Sequence, residues 1–538
     1  MLYITTRAGA LAPVAGRRAP SRAAIVAPLV LSLLCPLAAQ AADAPKEPSR
    51  KFGDTILTDG DDNVTNDKTV DLVEDVDFGG GSNALSNSGV ITIGAAATAP
   101  VQVRLMSLEA LKNTGTIDLR NGRVGDTLTL SGDYNGASKA RLGLDVGSNG
   151  ADKLVVGDVA NGKTAVVLGG LTGQTAVLTG DKGPILIQAG AGSTANAFDI
   201  ENNEIGFVRY GLAFDSATGA YRLKGTAGQR AYETLKISEG AANVWRQAAD
   251  AWSSHVAALR DAGADADGGG LWGQAYGARH DRDDEVAAAD RRVAVDYRQT
   301  TYGGQMGADL INGELGEDGR VLIGLTGGYT DARMRFSGLA GQDVKLRVVN
   351  VGGYMALTRG GFFVNALAKA DRQAVKVREP VEGASAKLDG TSYGARIEAG
   401  GRSEGDGLMY EQLLSISYVS TRLDDLAVLS QRVDFGDAAG FVAKAGVRGA
   451  VETESLGGAL TTYGSAFVVH DFTVKDGVDL VSGGQTEHLT HDGGRTFGQL
   501  TAGFSYRSGP SITFLEATGD YGGGHHGGGL RLGARVAF

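Results

Sequence analysis

The last residues of the chain alternate. Stepping back by twos from Phe538 gives Val536, Ala534, Leu532 and Leu530, all apolar, with Ala537, Arg535, Gly533 and Arg531 between them. A period of two marks a strand with one apolar face and one polar face. From Gly269 onward the pattern predicts twelve such strands, at roughly 270–279, 296–309, 320–332, 345–358, 361–378, 384–402, 407–421, 440–453, 459–475, 494–507, 511–520 and 529–538. In one, Gly498, Leu500, Ala502, Phe504 and Tyr506 share a face, and Gln499, Thr501, Gly503, Ser505 and Arg507 share the other. In another, Leu408, Tyr410, Leu414, Ile416 and Tyr418 face away from Glu411, Ser415 and Ser417. A tilted strand crosses a bilayer in about 9–11 residues, which every segment supplies. The only prolines here, Pro380 and Pro510, fall in predicted turns, as a complete hydrogen-bonded ladder requires. The expectation is a twelve-stranded antiparallel transmembrane β-barrel. Links after odd strands, such as His280 to Val295, Arg422 to Gly440 and Asp476 to Gly493, are long and charged. Links after even strands, such as Arg359-Gly360, are short. Barrels of this kind have short turns on one side and long loops on the other.

Between Gly228 and Ala262 the period changes. Val244, Trp245, Ala248, Ala249, Trp252, Val256 and Leu259 recur at three- and four-residue steps, which predicts an amphipathic helix. At 1.5 Å per residue it reaches about 50 Å, enough to cross a pore of bilayer height. Lying directly before the first strand, it is expected to plug the lumen, with Trp245 and Trp252 against the wall. Lys369, Asp371, Glu411, Arg507, Arg531 and Arg535 are the charges expected to line that lumen, pair with one another and grip the helix.

Residues 42–227 are rich in Gly, Val, Thr, Asn and Asp. Asn87-Ser88-Gly89-Val90-Ile91-Thr92-Ile93 recurs as Asn113-Thr114-Gly115-Thr116-Ile117-Asp118-Leu119. A turn followed by alternating apolar residues, repeated, suits the rungs of a parallel β-helix. The expected fold class is therefore all-β, with a β-helix-like N-terminal region, a linker helix and the C-terminal barrel.

The N-terminus adds a route. Arg7, Arg17, Arg18 and Arg22 precede an apolar run from Ala23 to Ala39, and Ala39-Gln40-Ala41 is a small-x-small site. This predicts an export signal cleaved between Ala41 and Ala42. The run is short for a transmembrane anchor and is interrupted by Pro28 and Pro36. The single cysteine, Cys35, falls within that signal, so no disulfide is expected. The 51 basic and 62 acidic residues give a net charge of −11, which argues against a nucleic-acid partner.

In this order the segments resemble the monomeric (type Va) autotransporters of the bacterial outer membrane. Gly270-Leu271-Trp272-Gly273-Gln274-Ala275-Tyr276-Gly277 looks like that family's first barrel strand, and Gly303-Gly304-Gln305-Met306-Gly307-Ala308-Asp309 like its second. The strand ending in Phe538 resembles the signal read by the outer-membrane barrel-assembly machinery. Gly125-Asp126-Thr127-Leu128-Thr129-Leu130-Ser131-Gly132-Asp133-Tyr134 and Asp152-Lys153-Leu154-Val155-Val156 resemble the C-terminal passenger region of pertactin-like members, a region that in the family helps folding start outside the cell. The resemblance implies a signal peptide over 1–41, a passenger over 42–227, a linker and plug over 228–268 and a barrel over 269–538. It implies an outer-membrane monomer without cofactor that displays its own short passenger, an adhesion or interaction module, at the cell surface. Its partners would be outer-membrane lipid, the assembly machinery, periplasmic chaperones and a ligand on a host or neighbouring cell. The alternatives are a hydrolase passenger and a porin-like channel; a lumen filled by 228–262 separates the last from an autotransporter.

Catalytic signatures are missing from the sequence. No H-E-x-x-H motif occurs, and residues 42–227 hold no G-x-S-x-G motif, so the passenger does not meet the usual nucleophile and zinc signatures. Gly125-Asp126-Thr127-Leu128 carries threonine where a G-D-S-L esterase needs serine. Asp59, Asp61, Asp62 and Asp67 lack calcium-loop spacing and read as a solvated acidic loop. His525-His526, framed by Gly522 to Gly529, reads as a flexible external loop with no neighbour in sequence to complete a metal site. The helix lacks the Asn-Asn pair at which some relatives self-cleave; Asn202-Asn203 lies in the passenger.

Overall fold

The computed structural model describes residues 47–538 apart from 173–174, 264–266, 339–340, 379–383, 406, 456, 476 and 492. The expected export signal, with Ala41 and Ala42, lies outside the described residues. Twelve strands pair antiparallel in chain order and close on themselves. They are β1 Gly270–Arg282, β2 Tyr297–Glu314, β3 Gly319–Phe336, β4 Asp343–Arg359, β5 Phe362–Arg378, β6 Ser385–Gly405, β7 Leu408–Leu423, β8 Ala438–Ser455, β9 Gly458–Lys475, β10 Arg495–Ser508, β11 Ser511–Gly522 and β12 His525–Ala537. The seam pairs Gly270 with Ala537 at one end and Arg282 with His525 at the other. Leu408, Tyr410, Leu414, Ile416, Leu500 and Phe504 are exposed on the outer face, while Glu411, Ser415, Ser417 and Ser505 are buried. Strands run past the predicted ends because the ladder continues beyond bilayer height with no proline to stop it.

Two of the expected loops are something else. The stretch read as a flexible Gly522–Gly529 loop is a tight turn at Gly523-Gly524 followed by strand β12. The glycines are there for close approach: a Cβ on Gly527 would sit 2.3 Å from the Arg279 carbonyl oxygen across the seam. The long charged links are also structured. Glu285–Ala287 pairs with Arg292–Ala294. Leu426–Val428, Gln431–Phe435, Gly477–Ser482 and Gln485–Thr490 form a four-stranded sheet. Their strands of three to six residues bury Leu426, Val433, Val478, Leu480 and Leu489, an alternation too short to stand out among the charges.

The N-terminal region is a three-sided parallel solenoid. One side stacks Asn63–Asn66, Ala84–Asn87, Ala110–Asn113 and the start of Asp133–Gly147. The next stacks Thr69–Leu72, Val90–Ile93, Thr116–Asp118 and the rest of that long strand. The third stacks Val76–Asp77, Gln102–Met106, Thr127–Leu130, Lys153–Val156 and Ile185–Gln188. Leu85, Ile91, Ile117, Leu128, Leu142 and Leu154 fill the bore and are fully buried. The two repeats noted in the sequence stack with Ile91 on Ile117. A third rung, Asn66 to Leu72, joins them with Val70 on Ile91; it escapes the motif because it lacks the glycine and carries valine for isoleucine. Asn66 donates to Asn87 and Asn87 to Asn113, both at 2.8 Å, and Asn113 reaches the Tyr134 hydroxyl at 3.2 Å. The hairpin Val208–Asp215 with Ala220–Ala227 caps the last rung antiparallel and leads into the helix.

Candidate functional site: the filled barrel lumen

Helix α1, Gln229–Ala262, starts after Gly228 and stops at Gly263, where φ is +58°, a conformation that favours glycine. It lies inside the barrel. Its apolar stripe determines which wall it leans on: Trp245, Ala249, Trp252, Val256 and Leu259 cluster with Trp272, Leu322, Tyr354, Leu367 and Val419. Gly240 lets the backbone come close to that wall, since a Cβ there would meet Met334 Sδ at 2.2 Å. The opposite, polar face looks across cavities of about 120 and 100 Å³ lined by residues of β1 and β6 to β12.

Side chains from β2, β6 to β9, β11 and β12 hold the polar face. Arg246 pairs with Asp471 at 3.0 Å, and Asp250 with Arg396 at 2.6 Å and Arg531 at 3.5 Å. Ser253 Oγ donates to Glu398 at 2.7 Å and Ser254 Oγ to Glu516 at 3.2 Å. Near the short-turn end Arg260 makes a two-pronged pair with Glu411, at 2.8 and 3.0 Å. Asp261 accepts from Arg402 and Arg448. His255 stacks on Trp272 with ring centroids 4.4 Å apart and reaches Asp309 at 3.0 Å. Asp309 also takes Arg535 at 2.7 Å and the Tyr354 hydroxyl at 2.7 Å. Charges buried this far need partners, because an unpaired one costs several kcal/mol.

The expected residues fall as follows. Trp245 and Trp252 are fully buried. Trp245 Nε1 donates to the Lys369 carbonyl at 3.2 Å, with Lys369 Nζ 4.7 Å from its ring centre. Lys369 pairs with Asp371 at 2.5 Å. Glu411, Arg531 and Arg535 meet α1 or its partners as above. Arg507 pairs with Glu452 of β8 at 3.9 Å. Phe538 is exposed, its N–H bound to the Gly269 carbonyl. Asp250, Asp309, Arg396 and Arg448 were not singled out from the sequence. Asp250 and Asp261 were visible as carboxylates on a helix already placed in the pore; their partners were not, because each sits more than a hundred residues away.

At the long-loop end the helix passes through a second clamp. Lys236 Nζ and Arg495 each lie 2.6 Å from Asp284, and His491 lies 3.1 Å from it. Burial opposes ionisation of Asp284, but the His491 and Lys236 contacts outweigh it and hold this carboxyl well below the usual range. Above the clamp the solenoid cap rests on the hairpins. Gln431 Oε1 accepts from Phe207 N at 2.5 Å, Glu487 from Ala227 N at 2.8 Å, and Ser482 Oγ donates to the Ala176 carbonyl at 3.3 Å. One apolar cluster runs from Phe52 in the solenoid through Leu235 and Val244 of α1 to Leu426 and Leu480 in the hairpins.

Residues 271–515 match the family model of the autotransporter beta-domain. The barrel is an autotransporter beta-domain. Among solved structures, this chain is similar to the beta domain of the Bordetella autotransporter BrkA, at 20% identity and TM-score 0.42 over 51% of this chain and 100% of that one. It is similar to the transport unit of AIDA-I from Escherichia coli, at 16% identity and TM-score 0.40 over 50% and 90%. The translocator domain of NalP from Neisseria meningitidis gives 14% identity and TM-score 0.41 over 56% and 99%. No curated protein sequence matches the chain. An autotransporter beta-domain sits in the outer membrane, its apolar face against lipid, and exports a passenger to the cell surface. The short turns of this one therefore face the periplasm and the solenoid is the passenger outside. The beta-domain is a secretion barrel, not a catalyst.

Proposed function

We propose that this autotransporter exports and then retains a short β-helical passenger that serves as an adhesion or interaction module on the cell surface. The observation that carries the reading is the seat of the passenger: its cap is bonded to the external hairpins and shares their apolar cluster, while α1 ties it through the lumen. A retained solenoid offers flat, polar sides at a fixed height above the membrane, which suits contact with another surface. The carboxylate-ended strand with Phe538 exposed would be the signal to the barrel-assembly machinery, after transit with periplasmic chaperones. Folding of the passenger outside would supply the drive, nucleated on the rungs around Gly125–Tyr134 and Asp152–Val156. Cells expressing the full chain should bind host cells, matrix or one another more than cells expressing a chain that lacks 48–200 but keeps the cap, helix and barrel. Equal binding by the two, at equal surface levels, would remove the adhesion reading. Recovery of the passenger in the culture medium would remove retention.

A further inference from the structure

The hydrogen-bond register at the seam brings together three side chains that sequence keeps far apart. His280 near the outer end of β1, Asp520 on β11 and His525 at the start of β12 present ligand atoms that all lie within 4.8 Å of one another. Asp520 Oδ2 lies 3.0 Å from His280 Nε2 and 3.4 Å from His525 Nε2. The other carboxylate oxygen is held by Gln499 Nε2 at 3.0 Å, which leaves Oδ2 for the two imidazoles. The rings are nearly parallel, with centroids 5.1 Å apart and 15° between planes.

We propose that His280, Asp520 and His525 bind a divalent transition-metal ion of the zinc class, joining the first strand of the barrel to the last two. Four features support this. Two imidazoles and one carboxylate are a zinc donor set, with one position open. Donors around a tetrahedral zinc at about 2.0–2.1 Å stand about 3.3–3.4 Å apart, so the 3.4 Å contact of His525, long for a hydrogen bond, has the length of a coordination edge. His525 is 4% exposed, packed against Phe497, and its Nδ1 has no hydrogen-bond partner. Its Nε2, whose polar contact is the long one to Asp520, is the nitrogen a metal would take. Finally, all three residues line the lumenal cavity of about 120 Å³, which provides an entry path and space for a water as fourth ligand. Arg282 adds positive charge nearby, but it lies 3.7 Å from Glu239, which offsets it. Gln499 acts as the outer partner that orients the carboxylate. Such an ion would fasten the seam at its outer end, where Gly527, Gly528 and Gly529 contribute no side-chain packing.

The test uses the full-length folded protein in detergent, stripped with a chelator and dialysed. Zinc is titrated in competition with a chromophoric chelator, and cobalt(II) is added separately to read visible ligand-field absorption. The expected result is one zinc per chain, with affinity falling at least about tenfold in His280→Ala, Asp520→Asn and His525→Ala. His526→Ala, which removes the half-exposed neighbour 3.8 Å from Asp283, should bind as the parent does. Zinc should also raise the temperature at which the parent loses its fast-migrating folded form on a gel, and should not do so in His280→Gln. His280 is only partly buried, so this variant is chosen to fold even where His525→Ala does not. No zinc bound, binding unchanged in the three variants, or binding lost only in His526→Ala would each overturn the site.

Discussion

Asn87 shows how a single residue carries the passenger. It is 1% exposed, accepts from Asn66 and donates to Asn113, so one amide serves three rungs. Asn87→Ala leaves Asn66 Nδ2 with only its long contact to the Val90 carbonyl and Asn113 Oδ1 with only the Gly115 N–H, at a cost of about 1–3 kcal/mol. Hydrogen exchange of residues 63–118 should accelerate, while tryptophan emission stays unchanged, because Trp245, Trp252 and Trp272 all lie in the helix and barrel. Asp152 carries a pH dependence. It is fully buried beside Asp126 and Asp145, and burial raises its carboxyl from 3.8 to about 6 despite the two backbone N–H groups it accepts. A group whose folded value is raised stabilises most when protonated. Its contribution is therefore full below about pH 4 and lost as pH rises through about 6, by roughly 3 kcal/mol. Passenger stability, followed by urea unfolding in far-ultraviolet circular dichroism, should fall over that window, and Asp152→Asn should flatten the slope. A parent with no slope there would contradict the assignment.

The helix is the element on which export and closure meet. It crosses the pore with an apolar stripe on one wall and paired charges toward the other. Glu411 is 1% exposed and lies between Arg260, Arg402 and Arg448. Glu411→Ala removes the carboxylate that Arg260 grips, while Arg402 keeps Asp261 and Glu404 and Arg448 keeps Asp261, which should loosen the periplasmic end of α1 by about 3–5 kcal/mol. In planar-bilayer recordings this variant should show intermittent conductance, and a barrel lacking 229–262 should conduct continuously. If both recordings match the closed parent, the helix is not what seals the pore.

Residues 48–538 form a closed cylinder carrying a solenoid on its outer rim, and the closure has its own signature. Strand β12 supplies both the last ladder and the seam, so the folded barrel should resist detergent and migrate differently before and after heating. Removing Phe538 should lower outer-membrane levels of that heat-sensitive form more than removing the passenger does, since the terminal strand presents an open edge during assembly. Normal levels of the truncated barrel would rule out an assembly role for this residue. The external hairpins belong to this scale too. They close over the passenger cap, so surface proteolysis of intact cells should protect residues 204–262 together with the barrel, and cleave first among the outer rungs.

Period and composition by themselves determined the architecture. Strands faced alternately by lipid and lumen, a helix inside a ring of polar walls and a β-helix bore each impose their own repeat on the chain, and each repeat is local enough to read from neighbours. The twelve strands, the span of α1 and two rungs of the solenoid were therefore legible, as were Glu411, Arg531 and Arg535 as inward-facing positions. The pairings were not. Asp309 meets His255, Tyr354 and Arg535 only because closure places β2, β4 and β12 around the same stretch of helix. His525 reads as part of a glycine loop until the seam register sets it against His280 and Asp520. The external hairpins, too short to show a period, become strands only because the passenger and each other cover their apolar residues. Side-chain alternation records which medium each residue faces; which residue it faces there is set by register and ring closure, and those exist only in the folded barrel.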